Sequence, residues 1–98
     1  MKRKILWDPA AEAEVEEAFD YYAERSRRAA EGFRARLLEA EDRIAENGEA
    51  LPVFDERGNR RCLLERYPFG VLYELTDEHA IIIVVMHTSR RPGYYKGR

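Results

Sequence analysis

The sequence predicts an α+β fold: an N-terminal strand, an antiparallel helix hairpin and a three-strand antiparallel meander. These close into a four-stranded sheet of order 1-4-3-2 with both helices on one face. Three observations carry this. Ile81 to Met86 is an unbroken run of six apolar residues, five of them β-branched, so both faces of a strand there avoid water and the strand lies inside a sheet. Two stretches, opening at Asp8-Pro9 and at Ser26, repeat apolar residues at helical spacing. Between the second of these and the apolar run stand further strand-like segments parted by short turns.

Lys2 to Trp7 reads as the first strand, with a basic start. Asp8-Pro9 closes it and opens a helix: Asp8 is able to cap the free N–H groups of the next turn, and Pro9 fits the first helical position, where its missing N–H costs nothing. Ala11, Val15, Ala18, Phe19 and Tyr22 then recur at helical spacing, while Glu12, Glu14, Glu16, Glu17, Asp20 and Glu24 lie mostly on other faces as a solvated flank. Arg25-Ser26 interrupts the pattern. Ser26 is a reasonable N-cap for a second helix carrying Ala30, Phe33, Leu37, Ala40 and Ile44, which runs to Asn47-Gly48, where a left-handed glycine is expected to close it. So short a connection packs the helices antiparallel, apolar stripes towards the sheet.

Residues 49–60, with Pro52, Asp55, Gly58 and Asn59, carry turn chemistry and no period, and read as a loop. Arg61 to Tyr67, Phe69 to Thr76 and Ala80 to His87 follow as three strands, joined through Tyr67-Pro68 and through Thr76 to His79. In the middle strand Val71, Tyr73 and Leu75 face one way, Leu72 and Glu74 the other, which predicts one covered face and one partly wet. The last strand, apolar on both faces, needs partners on both sides. The N-terminal strand is the one left to supply the second, and that fixes the order.

Ninety-eight residues suit one domain, 1–98, that buries roughly two-thirds of its unfolded surface. The apolar run is far short of the ~18 residues of a membrane span, and Met1-Lys2-Arg3-Lys4 leads straight into Ile5-Leu6-Trp7-Asp8, too short for a signal sequence; the chain reads as cytoplasmic, with no membrane partner. Cys62 is alone, so no internal disulfide forms, and with His79 and His87 as the two histidines a zinc site lacks ligands at usable spacing. No metal or cofactor is expected, and Cys62 reads as a buried structural thiol. The net charge of -2 conceals a split: residues 1–56 carry 9 Lys/Arg and 15 Asp/Glu, residues 57–98 carry 8 and 4. A basic C-terminal half suits an anionic target, or a basic sheet rim paired with acidic helices.

The apolar strand exits into His87, Arg90, Arg91, Tyr94 and Tyr95. Cleaving RNA through its 2′-hydroxyl needs a base, cations for the charged transition state and an acid. A histidine changes charge near neutral pH and is suited to shuttling the proton. Arg61, Arg66 and Arg90 are suited to holding a phosphate, and Tyr94 or Tyr95 to stacking on a base. The alternative is structural: His87 ends a buried strand with one hydrogen bond satisfied, the arginines pair with the acidic helices, and the tyrosines pack the C-terminus down.

Ala18-x-x-Tyr21-Tyr22, Arg60-Arg61-x-Leu63, Arg66-Tyr67-Pro68-Phe69-x-Val71-x-Tyr73 and His87-x-x-Arg90-x-Pro92-x-Tyr94-Tyr95, in this order and spacing, resemble the RelE/ParE superfamily of toxins from bacterial type II toxin–antitoxin (plasmid stabilisation) systems. The likeness covers nearly the whole chain. It implies a growth-inhibiting protein held inactive by a cognate antitoxin, an acidic protein whose helix is expected in the groove between hairpin and sheet, with a further segment adding to a sheet edge; the pair is expected to form a heterotetramer or larger complex. RelE-like members resemble ribosome-dependent, metal-independent ribonucleases and ParE-like members inhibitors of DNA gyrase, and one fold hosts both.

In the RelE branch the position of Gly70 is typically an arginine that contacts the cleaved phosphate. Losing such a donor commonly costs ~3 kcal/mol of transition-state stabilisation. The ending Val85-Met86-His87-x-x-Arg90 is similar to the ParE branch, and with Gly70 it favours an inhibitory binder of gyrase, with Arg61, Arg66, Arg90, Arg91, Tyr94 and Tyr95 as its binding residues. Under the ribonuclease alternative His87, Arg90, Arg61 and Tyr94 are the catalytic set. A third reading is a non-toxic family member that serves as a binding module.

Overall fold

The computed structural model describes residues 2–91 and 93–98. The chain runs β1 (Lys4–Trp7), α1 (Pro9–Ala23), α2 (Arg27–Asn47), a 3-10 turn (Gly48–Ala50), β2 (Arg60–Leu63), β3 (Phe69–Leu75) and β4 (His79–His87). Both helix starts are capped as their residues dictate: Asp8 Oδ1 accepts from the Ala10 amide at 2.8 Å and Ser26 Oγ from the Ala29 amide at 3.1 Å. The end of α2 differs from expectation. Gly48 has φ -60°, not a left-handed value, and the chain runs on into the 3-10 turn. Glycine stands there for space: a β-carbon would meet Leu75 at 3.2 Å and Tyr73 at 3.3 Å, and its carbonyl accepts from the Tyr73 hydroxyl at 2.6 Å.

The sheet has the order β1-β4-β3-β2. β2 and β3, and β3 and β4, pair antiparallel, while β1 joins β4 in parallel from Lys4↔His79 to Trp7↔Ile82. A parallel neighbour needs a long crossover, which the helix hairpin supplies. β1 starts at Lys4 rather than Lys2. β2 stops at Leu63 rather than Tyr67, because Glu65 to Pro68 form the turn and Arg66 adopts φ 67°.

A bulge in β4 decides what each of its residues faces. Leu72 pairs with Val84 but Tyr73 pairs with Ile82, so Ile83 is left without a partner and side-chain alternation restarts beyond it. Ala80 and Ile82 face the helices before the bulge and Val85 after it, whereas Val84 and Met86 pack on the opposite face. His87, opposite Phe69, therefore lies on the helix side. Without the extra residue a period of two would turn it away.

The helix-side core joins Phe33, Leu37 and Ile44 of α2 to Val71, Tyr73 and Ile82 of the sheet; Cys62 is buried with them. The second face, expected to be partly wet, is covered. Leu72, Val84 and Met86 pack beneath Phe54 of the long loop and Tyr95 of the C-terminal tail, two segments without the periodicity that marks a core from sequence.

Candidate functional site

β1 ends at Trp7 because Asp8 must cap α1, so β4 has no strand beside it beyond Ile82. α1 closes this gap with a side chain. Glu14 Oε1 accepts from the Val85 amide at 3.0 Å, and its carboxylate also takes the Tyr94 hydroxyl at 2.5 Å and both Arg98 amino groups at 2.8 and 3.1 Å. Arg98 donates to the Ile83 carbonyl at 3.1 Å as well. Burial, and then the bond to Glu14, push the Tyr94 phenol well above its ordinary pKa, and the same carboxylate raises that of Arg98.

An open groove of about 830 Å³ runs along this seam. α1 contributes Ala18, Tyr21 and Tyr22 to it, the sheet Phe69, Val85 and His87, and the tail Arg90 and Tyr94. The His87 ring stands edge-on to Phe69 at 5.3 Å. Its Nδ1 accepts from the Ser89 amide at 3.1 Å, with Ser89 Oγ at 2.7 Å, which assigns the neutral ring's proton to Nε2. Arg90 donates its amide to the His87 carbonyl at 2.9 Å and lays its guanidinium over the Tyr94 ring at 4.1 Å.

The residues singled out from sequence separate into four places. His87, Arg90 and Tyr94 share the groove. Arg61 is across the sheet from them: it neighbours Leu72 in the pairing, stacks on Phe54 at 4.5 Å and lies where a side chain at Gly70 would project, 3.0 Å from that glycine's ideal β-carbon position. Arg66 and Arg91 are exposed at the end of the molecule. Tyr95 is 3% exposed and donates to Asp55 at 2.8 Å, so it belongs to the core and not to the exposed exit. Sequence reasoning placed Glu14 in a solvated flank and passed over Arg98. The available signal was position: Glu14 falls between Ala11 and Ala18 on the helical period that buries both.

A parallel edge strand, a helix hairpin and a meander ending on a histidine and an arginine thus frame a groove beside the first helix. The chain belongs to the family described as ParE toxin of type II toxin–antitoxin system, parDE, whose family model matches residues 5–92. Among solved structures it is similar to a chromosomal ParDE toxin–antitoxin system from P. aeruginosa, with a TM-score of 0.77 and 18% identity over 88% of this chain and 96% of that one; at that identity the likeness is one of fold. A search of curated protein sequences finds no match. Among the described residues no helix is long and apolar enough to cross a membrane, and no three His, Cys, Asp or Glu side chains are grouped to hold a metal.

Proposed function

We propose that this toxin arrests growth in the cytoplasm by binding and inhibiting DNA gyrase, and that its exit groove is a recognition surface. The observation that carries this reading is the separation of its cations. Arg61 and Gly70 lie on one face of the sheet, beside Phe54 and Leu72, while His87 and Arg90 lie on the helix side. A phosphate held by Arg61 is therefore out of reach of the His87 imidazole, and the concerted transfer that RNA cleavage demands lacks one assembled set of groups. Purified toxin is expected to inhibit supercoiling and trap cleavage complexes at micromolar concentration; unchanged gyrase activity overturns the proposal.

Ribosome-dependent mRNA cleavage is the second reading, favoured by the meeting of His87, Arg90 and Tyr94 in one groove. It requires new transcript ends within codons when the chain is expressed, lost in His87→Ala and Arg90→Ala. The cognate antitoxin is the principal partner under either reading, with an apolar helix stripe against Ala18, Tyr22 and Phe69 and acidic residues towards Arg90 and Arg91. Replacing Arg90 and Arg91 by Glu is expected to weaken that complex and flatten its salt dependence.

A further inference from the structure

We infer that the chain binds the phosphate backbone of duplex DNA through an arginine-rich end of the molecule that adjoins the groove and shares Arg90 with it. Three segments remote in sequence meet there: the α1–α2 turn with the start of α2, the β2–β3 turn, and the exit of β4. The Tyr67 hydroxyl donates to the Ala29 carbonyl at 2.8 Å, the Tyr22 and Tyr67 rings lie 5.2 Å apart, and the Thr88 amide donates to the Pro68 carbonyl at 2.8 Å. Residues 21–30, 64–69 and 87–91 together hold six arginines and two glutamates, in a chain whose net charge is -2. The positive charge is concentrated at one end while the remainder is acidic.

Arg25 donates to the Tyr21 carbonyl at 2.7 Å and Arg90 lies over Tyr94, but among the described residues none of the six is held by a buried ion pair. Arg25 and Arg27 have glutamates at 3.9 and 3.5 Å, both pairs exposed and so loosened by water and salt. Arg28, Arg66 and Arg91 are exposed and, among the described residues, form no ion pair. Arg66 has φ 67°, a left-handed conformation that glycine adopts without strain and arginine does not. The strained position puts a guanidinium at the tip of the turn, where nothing in the fold uses it.

The chemistry selects the ligand. All six cations are guanidinium forks, which match phosphate oxygens two at a time. A single strand would want open aromatic faces, but the Tyr21 ring is covered by Arg25 at 3.7 Å and the Tyr94 ring by Arg90 at 4.1 Å. An acidic helix would want an apolar seat, and that lies next door in the groove. A rim of arginines on turn tips, with guanidinium groups laid over its tyrosines, fits a rod of evenly spaced phosphates.

Fluorescence anisotropy of a labelled mixed-sequence duplex of about 20 base pairs with antitoxin-free toxin tests this. Binding is expected at ~50 mM salt and about a hundredfold weaker at ~200 mM, a log–log slope near -3.5 for about four phosphates. Arg28→Ala, Arg66→Gly and Arg91→Ala combined should bring the slope to about -1, whereas Lys2→Ala with Arg43→Ala, at the other end, should leave it in place. Arg66→Gly alone relieves the strained turn, so its thermal midpoint is expected to hold or rise while the slope falls by about 1; loss of binding there is not loss of folding. No binding at ~50 mM salt, a slope unchanged in the triple variant, tighter binding to a single strand of the same length, or equal competition by polyglutamate, which would indicate an acidic protein partner, each overturns the inference. Supercoiling by gyrase is scored separately on the same variants, so failure of the gyrase reading is distinguishable from failure of this one.

Discussion

Glu14 stands where a neighbouring strand would otherwise be. It accepts the Val85 amide, the Tyr94 hydroxyl and the Arg98 guanidinium within one carboxylate, in a part-buried seam where an unmet donor costs about 1–3 kcal/mol. Glu14→Ala is expected to destabilise the chain by about 3 kcal/mol in urea unfolding, and Glu14→Gln, which keeps one acceptor, by about half that; a loss under ~1 kcal/mol would show that water replaces the carboxylate. The tyrosines set the alkaline limit. Burial pushes the phenols of Tyr73 and Tyr95 from 10 up to about 12, Tyr95 with help from its bond to Asp55. A raised folded pKa means that this stability is complete below pH 10 and is lost as pH rises through 12. Ionisation of these two buried phenols should therefore accompany the loss of circular dichroism above pH 10; ionisation of both near 10 with the fold intact would contradict this. Asp55 works at the acid end: burial raises its pKa, but bonds from Asn59, Tyr95 and backbone amides outweigh it and the net shift is downward. Its contribution is present above the ordinary aspartate range and fades as pH falls through that range and below.

At the scale of elements, two local features carry more than their sequence announces. Gly32 looks like a weakness in the middle of α2, and glycine to alanine at an open helical site gains up to ~1 kcal/mol. Here a β-carbon would lie 2.3 Å from the Tyr67 hydroxyl, which bonds the Ala29 carbonyl in that notch. Gly32→Ala is expected to lower stability by about 1–2 kcal/mol instead, because the β2–β3 turn loses its anchor; a stabilised variant would show that Tyr67 moves aside without loss. The second feature is the bulge at Ile83. Deleting Ile83 restores strict alternation and turns either Val85 and His87 or Ala80 and Ile82 to the wrong face. Loss of cooperative thermal unfolding is the expected result, and a native-like melt would mean that the register is set elsewhere.

The whole molecule is a sheet covered on both faces, by the helix hairpin on one and by the loop and tail on the other. The tail is pinned on both sides, through Tyr94 to α1 and through Tyr95 to Asp55. Removing residues 94–98 uncovers Leu72, Val84 and Met86; the loss of a buried aromatic alone is worth about 3–5 kcal/mol. The truncated chain is expected to unfold at markedly lower urea and to bind a hydrophobic dye, and unchanged stability would make the tail an ornament. Because this tail also borders the groove, exit chemistry and second-face packing are coupled.

The sequence determined the elements, the strand order and the helix-side core, because each rests on short-range physics: caps at Asp8 and Ser26, helical spacing from Ala30 to Ile44, and β-branching from Ile81 to Val85. Its family motifs likewise named the exit residues. Tertiary structure decided which of them meet. One unpaired residue, Ile83, turns His87 into the groove, while alternation on β2 leaves Arg61 across the sheet. Glu14, Asp55 and Tyr95 acquired their tasks from partners 40 to 84 residues away in sequence, contacts that no local period encodes.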